Sequence, residues 1–270
     1  MIIGFIGAGN MARSLAGGLI AQGTAPHNIL LSDPNLAALT QLQQELGVKI
    51  TQNNHEVAAQ AQTIILAVKP QVMKNVVLAI QDTLQQHQPL IISIAAGIQC
   101  VSLMEWLGDK IPVIRCMPNT PALVQTAATA LYATPHTTQQ QKHTAEHILS
   151  AVGLAVWVHE EEQLNAVTAL SGSGPAYFFY LMEAMIQAGI QMGLSETLSR
   201  QLTLQTALGS AKMASQSVLD PATLRTQVTS PGGTTAAAIT HFDQMHLSQH
   251  IIDALETAKI RSKELAQDFK

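Results

Sequence analysis

The first residues that could carry chemistry are three small residues near the start of the chain, in the pattern Gly7-x-Gly9-x-x-Ala12. The apolar run Ile2–Ile6 precedes them and predicts a strand, and the stretch 10–22 predicts a helix. Gly7 permits a tight turn, Gly9 lets the backbone approach a pyrophosphate, and Ala12 lets helix and strand pack closely. The helix N-terminus then faces the phosphates. The pattern predicts a dinucleotide site, and the alternative is a glycine turn without a ligand.

Asp33 follows the second predicted strand, residues 29–31, and precedes Pro34. It lies 24 positions beyond Gly9, about where an acidic residue binds the adenosine ribose 2′-hydroxyl of NAD. The next Lys or Arg is Lys49, so no nearby base favours the extra phosphate of NADP. In the alternative interpretation, Asp33 and Pro34 form an Asx turn before the next helix.

Three later predicted strands end in small residues and prolines. These segments are Ala67-Val68-Lys69-Pro70, Ser93-Ile94-Ala95-Ala96-Gly97 and Met117-Pro118-Asn119-Thr120-Pro121. Because ligands of parallel sheets lie beyond the carboxyl ends of the strands, we expect these segments to face the cofactor. Lys69 is a catalytic acid, a polar neighbour of the cofactor or a solvated loop residue. We expect Cys116 to be a small buried side chain rather than a nucleophile.

Two glycine-rich turns in the second half of the chain each open a predicted helix. They are Ser171-Gly-Ser-Gly-Pro-Ala-Tyr177 and Ser230-Pro-Gly-Gly233-Thr234-Thr235. Each offers free backbone N–H groups at the positive end of a helix dipole, which favours an anion such as a small carboxylate. The second turn adds the hydroxyls of Ser230, Thr234 and Thr235. The alternative is ordinary capping of two helices.

The groups that these segments lack also restrict the chemistry. The ten histidines are scattered without the spacing of a metal site, so we expect no metal. Lys212, Lys259 and Lys263 lie in the second half, but none is in a glycine-rich turn. Reduction of a ketone needs an acid that protonates the developing alkoxide. An imine that arrives already protonated needs only hydroxyl and backbone donors to orient it, so the residues present favour an imine substrate.

The elements that would position these residues differ between the two halves of the chain. The predicted strands are 2–6, 29–31, 63–68, 90–94 and 113–115, with 128–132 and 155–158 as further candidates, and the helices between the first of them are 10–22, 35–46, 55–61 and 71–86. This alternation predicts an α/β fold with a parallel sheet and helices on both faces. After residue 160 only helices are predicted, over 161–172, 175–192, 195–215, 221–228 and 233–269. We therefore expect a nucleotide-binding domain over 1–160 and an all-α domain over 161–270.

The helix predicted over 175–192 is apolar nearly all round, so most of its surface must be buried. A second half of about 110 residues cannot easily cover it alone. We therefore expect a homodimer formed through the helical domain, with a large apolar interface.

Composition excludes several classes of protein. Apolar residues make up 47% of the chain and charged residues 12%, which favours a large core over disorder. The net charge is −4 and no basic cluster occurs, so nucleic acid is not an expected partner. The longest apolar run, Leu90–Ile98, is far shorter than the ~20 residues that span a bilayer. With two cysteines and no signal-peptide pattern, we expect a cytoplasmic protein.

Six segments resemble the signatures of the pyrroline-5-carboxylate reductase family, in the family's order. They are Phe5-Ile-Gly-Ala-Gly-Asn-Met, Ala67-Val-Lys-Pro, Ser93-Ile-Ala-Ala-Gly, Arg115-Cys-Met-Pro-Asn-Thr-Pro, Ser171-Gly-Ser-Gly-Pro-Ala-Tyr and Ser230-Pro-Gly-Gly-Thr-Thr, and the last is the most specific. The resemblance implies reduction of Δ1-pyrroline-5-carboxylate to L-proline with NADPH or NADH, the last step of proline biosynthesis. It also implies a Rossmann-like N-terminal domain and a helical C-terminal domain that dimerises, with dimers often assembled into rings.

The resemblance implies roles for individual residues as well. The cofactor would bind Gly7, Ala8, Gly9, Asn10, Met11, Ala67, Val68, Lys69 and Pro70, with Asn54 near the adenosine. The substrate carboxylate and ring nitrogen would bind Ser230, Gly233, Thr234 and Thr235, with Thr235 as the catalytic residue at the nitrogen. The family commonly uses NADPH, and Asp33 departs from that because it does not favour the 2′-phosphate.

Two other functions agree with parts of the sequence. A 3-hydroxyacid dehydrogenase of the same architecture should have a lysine in the active helix of its second domain, and we find no convincing one. A non-catalytic dinucleotide sensor would keep the Gly7 turn but need not keep the segment from Ser230 to Thr235.

Overall fold

The structure is a computed structural model that describes residues 1–108 and 110–269. Its strands are β1 (Ile3–Ile6), β2 (Ile29–Ser32), β3 (Lys49–Thr51), β4 (Thr63–Leu66), β5 (Leu90–Ser93), β6 (Val113–Met117), β7 (Ala127–Ala133) and β8 (Gly153–Trp157). They form one sheet in the order β3-β2-β1-β4-β5-β6-β7-β8. All neighbours pair in parallel except β6 and β7. The first six strands have the Rossmann order, which confirms the mostly parallel sheet and the Rossmann-like domain.

The helices that flank this sheet are α1 (Asn10–Ala21), α2 (Leu36–Leu46), α3 (Asn54–Gln60), α4 (Pro70–Ala79), α5 (Gln81–His87), α6 (Cys100–Leu107) and α7 (Gln139–Ser150). One apolar core lies between the sheet and α1, α2 and α7, and a second lies between the sheet and α3 to α6. Strands β1, β2, β4 and β5 are buried along their whole length. A parallel sheet covered on both faces produces such fully buried, mostly apolar strands, and the predicted two-sided packing is confirmed.

The rest of the chain is helical, as predicted. Its elements are α8 (Gln163–Val167), a π-helical turn (Thr168–Gly172), α9 (Gly174–Gln191), α10 (Glu196–Gln216), α11 (Pro221–Gln227), α12 (Thr234–Gln244) and α13 (Leu247–Gln267). By their contacts, residues 1–108, 110–173 and 257–269 form one compact unit and residues 174–256 form a second. The predicted domain boundary near residue 160 stays a prediction.

Two stretches predicted as single helices are each divided. The stretch 71–86 forms α4 and α5, which meet at the buried Ile80 and contribute side chains to the same core. The bend at Ile80 lets both helices face that core. The stretch 233–269 forms α12 and α13, and His246 between them has a left-handed backbone with φ of 53°. The predicted helix 161–172 contains α8 and the π-helical turn.

Three elements of the first unit were not predicted. Strand β3 has three residues at the sheet edge and none of them is buried, so it lacks an apolar run. Helices α6 and α7 lie in stretches for which no helix was predicted. Helix α6 buries five of its eight residues and is mostly apolar. Helix α7 is largely polar and has a capping box at Thr138 and Gln141.

Among residues 1–108 and 110–269, no helix has the length and apolar character needed to cross a membrane. The same residues contain no cluster of three or more His, Cys, Asp or Glu side chains placed to hold a metal ion.

Helix α1 offers a matched test of this packing, because its two adjacent glycines have different surroundings. A Cβ at Gly18 would lie 2.5 Å from the carbonyl oxygen of Ala151, whereas a Cβ at Gly17 would only touch Leu46 at 3.8 Å. We expect Gly18→Ala to destabilise the protein by about 1–3 kcal/mol through overpacking. Gly17→Ala should stabilise it by up to about 1 kcal/mol, since alanine favours the helix. Denaturant unfolding measures both, and equal effects of the two substitutions would contradict this packing.

Candidate active site

The turn between β1 and α1 is fixed by close contact with the neighbouring strand β4. Gly7 has φ of 104°, and a Cβ there would lie 2.6 Å from the carbonyl oxygen of Ala67. Its N–H donates to the carbonyl of Ser32 at 2.8 Å, and the N–H of Ala67 donates to Ile6 at 2.8 Å. Only glycine fits such a backbone conformation and such a contact. The tight turn predicted at Gly7 is present.

The N-terminus of α1 is open beyond this turn. Gly9 is the N-cap residue, no side chain caps the helix, and a Cβ at Gly9 would meet no atom within 4 Å. Asn10 is exposed and Met11 half-buried, whereas Ala12 is fully buried in the core. Free N–H groups at the positive end of a helix suit the pyrophosphate of a dinucleotide, so these residues fit the expected cofactor.

Asp33 lies just beyond β2, and the backbone holds both of its carboxylate oxygens. Oδ2 accepts the N–H of Ala8 at 2.9 Å, and Oδ1 accepts the N–H of Asn35 at 2.8 Å. The second contact is the Asx turn that the alternative interpretation expected, but Asn35 rather than Asp33 is the N-cap of α2. The first contact places the carboxylate against the dinucleotide turn.

Asn54 is the first residue of α3 and lies beside the same strand end. Its Oδ1 accepts the hydroxyl of Ser32, the last residue of β2, at 2.7 Å. Ser32 was not among the predicted site residues. Only its position directly before Asp33 could have indicated a place in the site, because a serine in a buried strand has no distinctive sequence pattern.

The ends of β4 and β5 lie at the same edge of the sheet, because all these strands run parallel. Ala67 and Val68 are half-buried, Lys69 is the exposed N-cap residue of α4, and Pro70 is its first residue. After β5, Ala96 is exposed. The structure therefore gathers the first-domain candidates at one edge and leaves several of them accessible.

Side-chain contacts of Arg115 in β6 and of Asn119 just beyond β6 order this part of the chain. Arg115 is 4% exposed, and its Nη1 donates to Oε1 of Glu161 at 2.7 Å. The same oxygen accepts the N–H of Cys100 at 2.7 Å. A buried charge that lost its partner would be costly, so this pair ties β6 to the start of α6. Asn119 accepts the N–H of Ala128 at 2.9 Å.

Asn119 also connects this edge to the π-helical turn, since its Nδ2 donates to the carbonyl of Ser171 at 3.0 Å. Glu161 was not predicted as a site residue, and Asn119 was expected only as one member of a segment that faces the cofactor. Their partners lie 9 to 61 positions away, and such contacts leave no local sequence pattern.

The cysteines are not nucleophiles. Burial raises the pKa values of the Cys100 and Cys116 thiols well above the usual range, so both remain protonated. The Cys116 thiol donates to the carbonyl of Ser93. Cys116 is the buried side chain that the sequence predicted.

In the second compact unit, the segment Ser230–Thr235 forms a glycine turn that opens α12. Gly232 has φ of 71°, Gly233 is the N-cap residue, and no side chain caps the helix. Ser230, Thr234 and Thr235 are exposed. The hydroxyls therefore do not serve as caps, and the turn presents hydroxyls and N–H groups together.

Comparisons with known proteins agree with this arrangement. Residues 161–265 match a family model described as pyrroline-5-carboxylate reductase dimerisation. Residues 2–97 match one described as NADP oxidoreductase coenzyme F420-dependent.

The chain is 51% identical to pyrroline-5-carboxylate reductase of Pseudomonas aeruginosa, over 99% of this chain and 97% of that protein. It is 40% identical to the enzyme of the same name from Vibrio alginolyticus, over 99% and 98% of the two chains. Among solved structures, a pyrroline-5-carboxylate reductase from Coxiella burnetii matches with a TM-score of 0.94 and 43% identity, over 97% of both chains. The Plasmodium falciparum pyrroline carboxylate reductase with NADP bound matches with a TM-score of 0.86 and 29% identity, over 98% of both. With its Rossmann sheet, its open dinucleotide turn and its helical second unit, the chain belongs to the pyrroline-5-carboxylate reductase family.

Proposed function

We propose that this enzyme reduces Δ1-pyrroline-5-carboxylate to L-proline with hydride from NAD(P)H, as the last step of proline biosynthesis, and that the turn Ser230–Thr235 holds the substrate. The observation that carries the substrate assignment is the free end of α12, where exposed hydroxyls and uncapped N–H groups occur together. A small anion with one polar ring atom matches these donors. The two buried, unpaired thiols suit a reducing compartment, and we place the reaction in the cytoplasm.

In this proposal the residues at the sheet edge bind the cofactor. The N–H groups at Gly9, Asn10 and Met11 bind the pyrophosphate, and Asp33 and Asn54 flank the adenosine. The backbone of Ala67–Pro70 and Ala96 borders the rest of the cofactor. Bound reduced nicotinamide supplies the hydride to the imine carbon.

Binding and reduction of the substrate need no strong acid from the protein. Ser230 and the N–H groups of Thr234 and Thr235 bind the carboxylate, and Gly233 allows the close approach. The hydroxyl of Thr235 hydrogen-bonds to the ring nitrogen and orients the imine. The nitrogen arrives protonated, so hydride addition at carbon converts the iminium directly to the amine. Positioning is the main contribution of these residues.

A steady-state assay with pyrroline-5-carboxylate and each reduced cofactor tests the proposal and the role of Asp33. We expect NADH to support turnover, because the Asp33 carboxylate opposes a 2′-phosphate. The advantage of NADPH in kcat/KM should stay below about a hundredfold, or roughly 2.7 kcal/mol. Asp33→Asn should raise kcat/KM with NADPH more than with NADH, and Asp82→Asn on α5 serves as control. A larger NADPH advantage in the parent enzyme would overturn this role for Asp33.

The role of Thr235 is tested with Thr235→Val, which keeps the shape and removes the hydroxyl. Loss of one positioned hydrogen bond should lower kcat/KM about 10- to 1,000-fold, or ~1.4–4 kcal/mol. Cofactor affinity should change little, because the Gly7 turn is untouched. Thr240→Val makes the same exposed change later in α12 and should leave kcat/KM unaltered. If Thr235→Val keeps activity within about twofold, Thr235 is only part of a helix terminus.

The proposed assembly is an obligate dimer through the helical unit, with rings of dimers as the higher state. In the single chain, Phe178, Phe179 and Tyr180 of α9 are 66%, 63% and 76% exposed. Large apolar side chains exposed on several sides of one helix are typical of a surface that a partner chain covers. Light scattering at micromolar concentration should therefore give a multiple of the 28.8 kDa chain mass. A stable, active monomer would rule the dimer out.

A further inference from the structure

The amide of Asn119 joins the start of β7 to the π-helical turn Thr168–Gly172. Its Oδ1 accepts the backbone N–H of Ala128 at 2.9 Å, and its Nδ2 donates to the carbonyl of Ser171 at 3.0 Å. A backbone N–H can only donate and a carbonyl can only accept, so these two partners fix which way the amide is turned. Asn119 therefore offers a donor to the turn and an acceptor to the strand.

The Ser171 carbonyl cannot pair in the way of an ordinary α-helix. It would accept the N–H of the residue four positions later, but that residue is Pro175, which has no backbone N–H. The chain widens here into the π-helical turn, in which the N–H of Ser173 donates to the carbonyl of Thr168 at 2.8 Å. Asn119 thus supplies the hydrogen bond that the proline cannot.

A packing contact holds the same turn against the sheet. A Cβ at Gly172 would lie 2.5 Å from Cε of Met117, the last residue of β6, so the glycine brings the backbone of the turn against that side chain. Asn119 follows Met117 by two positions. The turn is therefore attached to the carboxyl end of β6 by a hydrogen bond and by a close contact.

The carboxyl end of β6 lies on one side of the proposed cofactor site. Strands β1, β4, β5 and β6 are successive neighbours that run parallel, so their carboxyl ends share one edge. A dinucleotide lies across the point where the strand order reverses, with one half on each side. Because the proposed adenosine contacts, Asp33 and Asn54, lie beside the end of β2, the nicotinamide half lies towards the ends of β4 to β6, on the side of the turn.

We propose that Asn119 is a positioning residue that holds the π-helical turn as a wall beside the nicotinamide of the cofactor. This proposal rests on the proposed cofactor site at this edge of the sheet. Asn119 does not touch the cofactor and acts through the backbone of the turn. Without its donor, the Ser171 carbonyl loses this hydrogen bond and the turn is no longer held against the end of β6.

Calorimetry with two probes tests this role without the imine and without turnover. ADP-ribose carries only the adenosine half of the cofactor, whereas NADH carries both halves. Asn119→Ala should raise the Kd of NADH about five- to twentyfold, as for the loss of one hydrogen bond, and change the Kd of ADP-ribose by less than about twofold. Asn119→Asp keeps the acceptor for Ala128 but has no donor for Ser171, so it should bind both probes as Asn119→Ala does. With pyrroline-5-carboxylate, both variants should lower kcat about 10- to 100-fold, because the nicotinamide is misplaced.

Thr138→Ala is the control, because it removes the capping box of α7 in the same compact unit and leaves the turn untouched. It should leave both Kd values unchanged. If Asn119→Ala does not fold, Asn119→Asp gives the same comparison with the contact to β7 retained. Equal losses for the two probes, unchanged NADH binding, or parent-like NADH binding by Asn119→Asp would overturn the positioning role, as would a parent protein that binds neither probe. A parent protein that binds both probes but does not reduce pyrroline-5-carboxylate would instead overturn the proposed function alone.

Discussion

The architecture of the first domain depends on one close backbone contact. A side-chain carbon at residue 7 would lie 2.6 Å from the carbonyl oxygen of Ala67, so β1 can turn into α1 beside β4 only through glycine. This turn places the Ala8 N–H on the carboxylate of Asp33 at 2.9 Å. It also leaves the first N–H groups of α1 facing open space at Gly9. The same packing constraint therefore leaves open the helix N-terminus at which we propose that the pyrophosphate binds.

In the proposed reaction, the first compact unit binds the cofactor and the second binds the substrate. The sheet edge presents open backbone N–H groups, the carboxylate of Asp33 and the amide of Asn54, which we propose as the cofactor site. The turn that opens α12 offers hydroxyls and N–H groups but no acid. Hydride addition to a protonated imine requires no acid, because the nitrogen already carries its proton. The turn that opens α12 therefore suits that chemistry better than reduction of a ketone, which needs an acid at the substrate.

Sequence patterns predicted the parts of this protein that depend on local periodicity. The strands β1, β2, β4 and β5 are buried and mostly apolar, and the Gly7 turn has its own spacing. Sequence patterns did not predict the elements whose formation depends on tertiary contacts. The short edge strand β3 exists because Lys49–Thr51 pairs with β2, and the break at Ile80 reflects burial in a shared core.

The same limit applies to the candidate site. The segments with glycines and prolines were recognisable, but the contacts that order them were not. Ser32 reaches Asn54 across 22 positions and Arg115 reaches Glu161 across 46. Such pairs have no fixed spacing, so only the folded chain reveals them. Asp33 forms the Asx turn that the sequence offered as one interpretation, and its second carboxylate oxygen accepts the Ala8 N–H, a contact that no sequence pattern predicted.

The proposed transfer of hydride from the reduced nicotinamide to the imine carbon can be followed with an isotope. The enzyme is supplied with pyrroline-5-carboxylate and a reduced cofactor that carries deuterium at the transferable position of the nicotinamide ring. The proline formed is then examined by mass spectrometry and NMR. We expect one deuterium per proline, at the ring carbon that was the imine carbon. Proline without deuterium, or no proline at all from a folded and cofactor-binding enzyme, would contradict it.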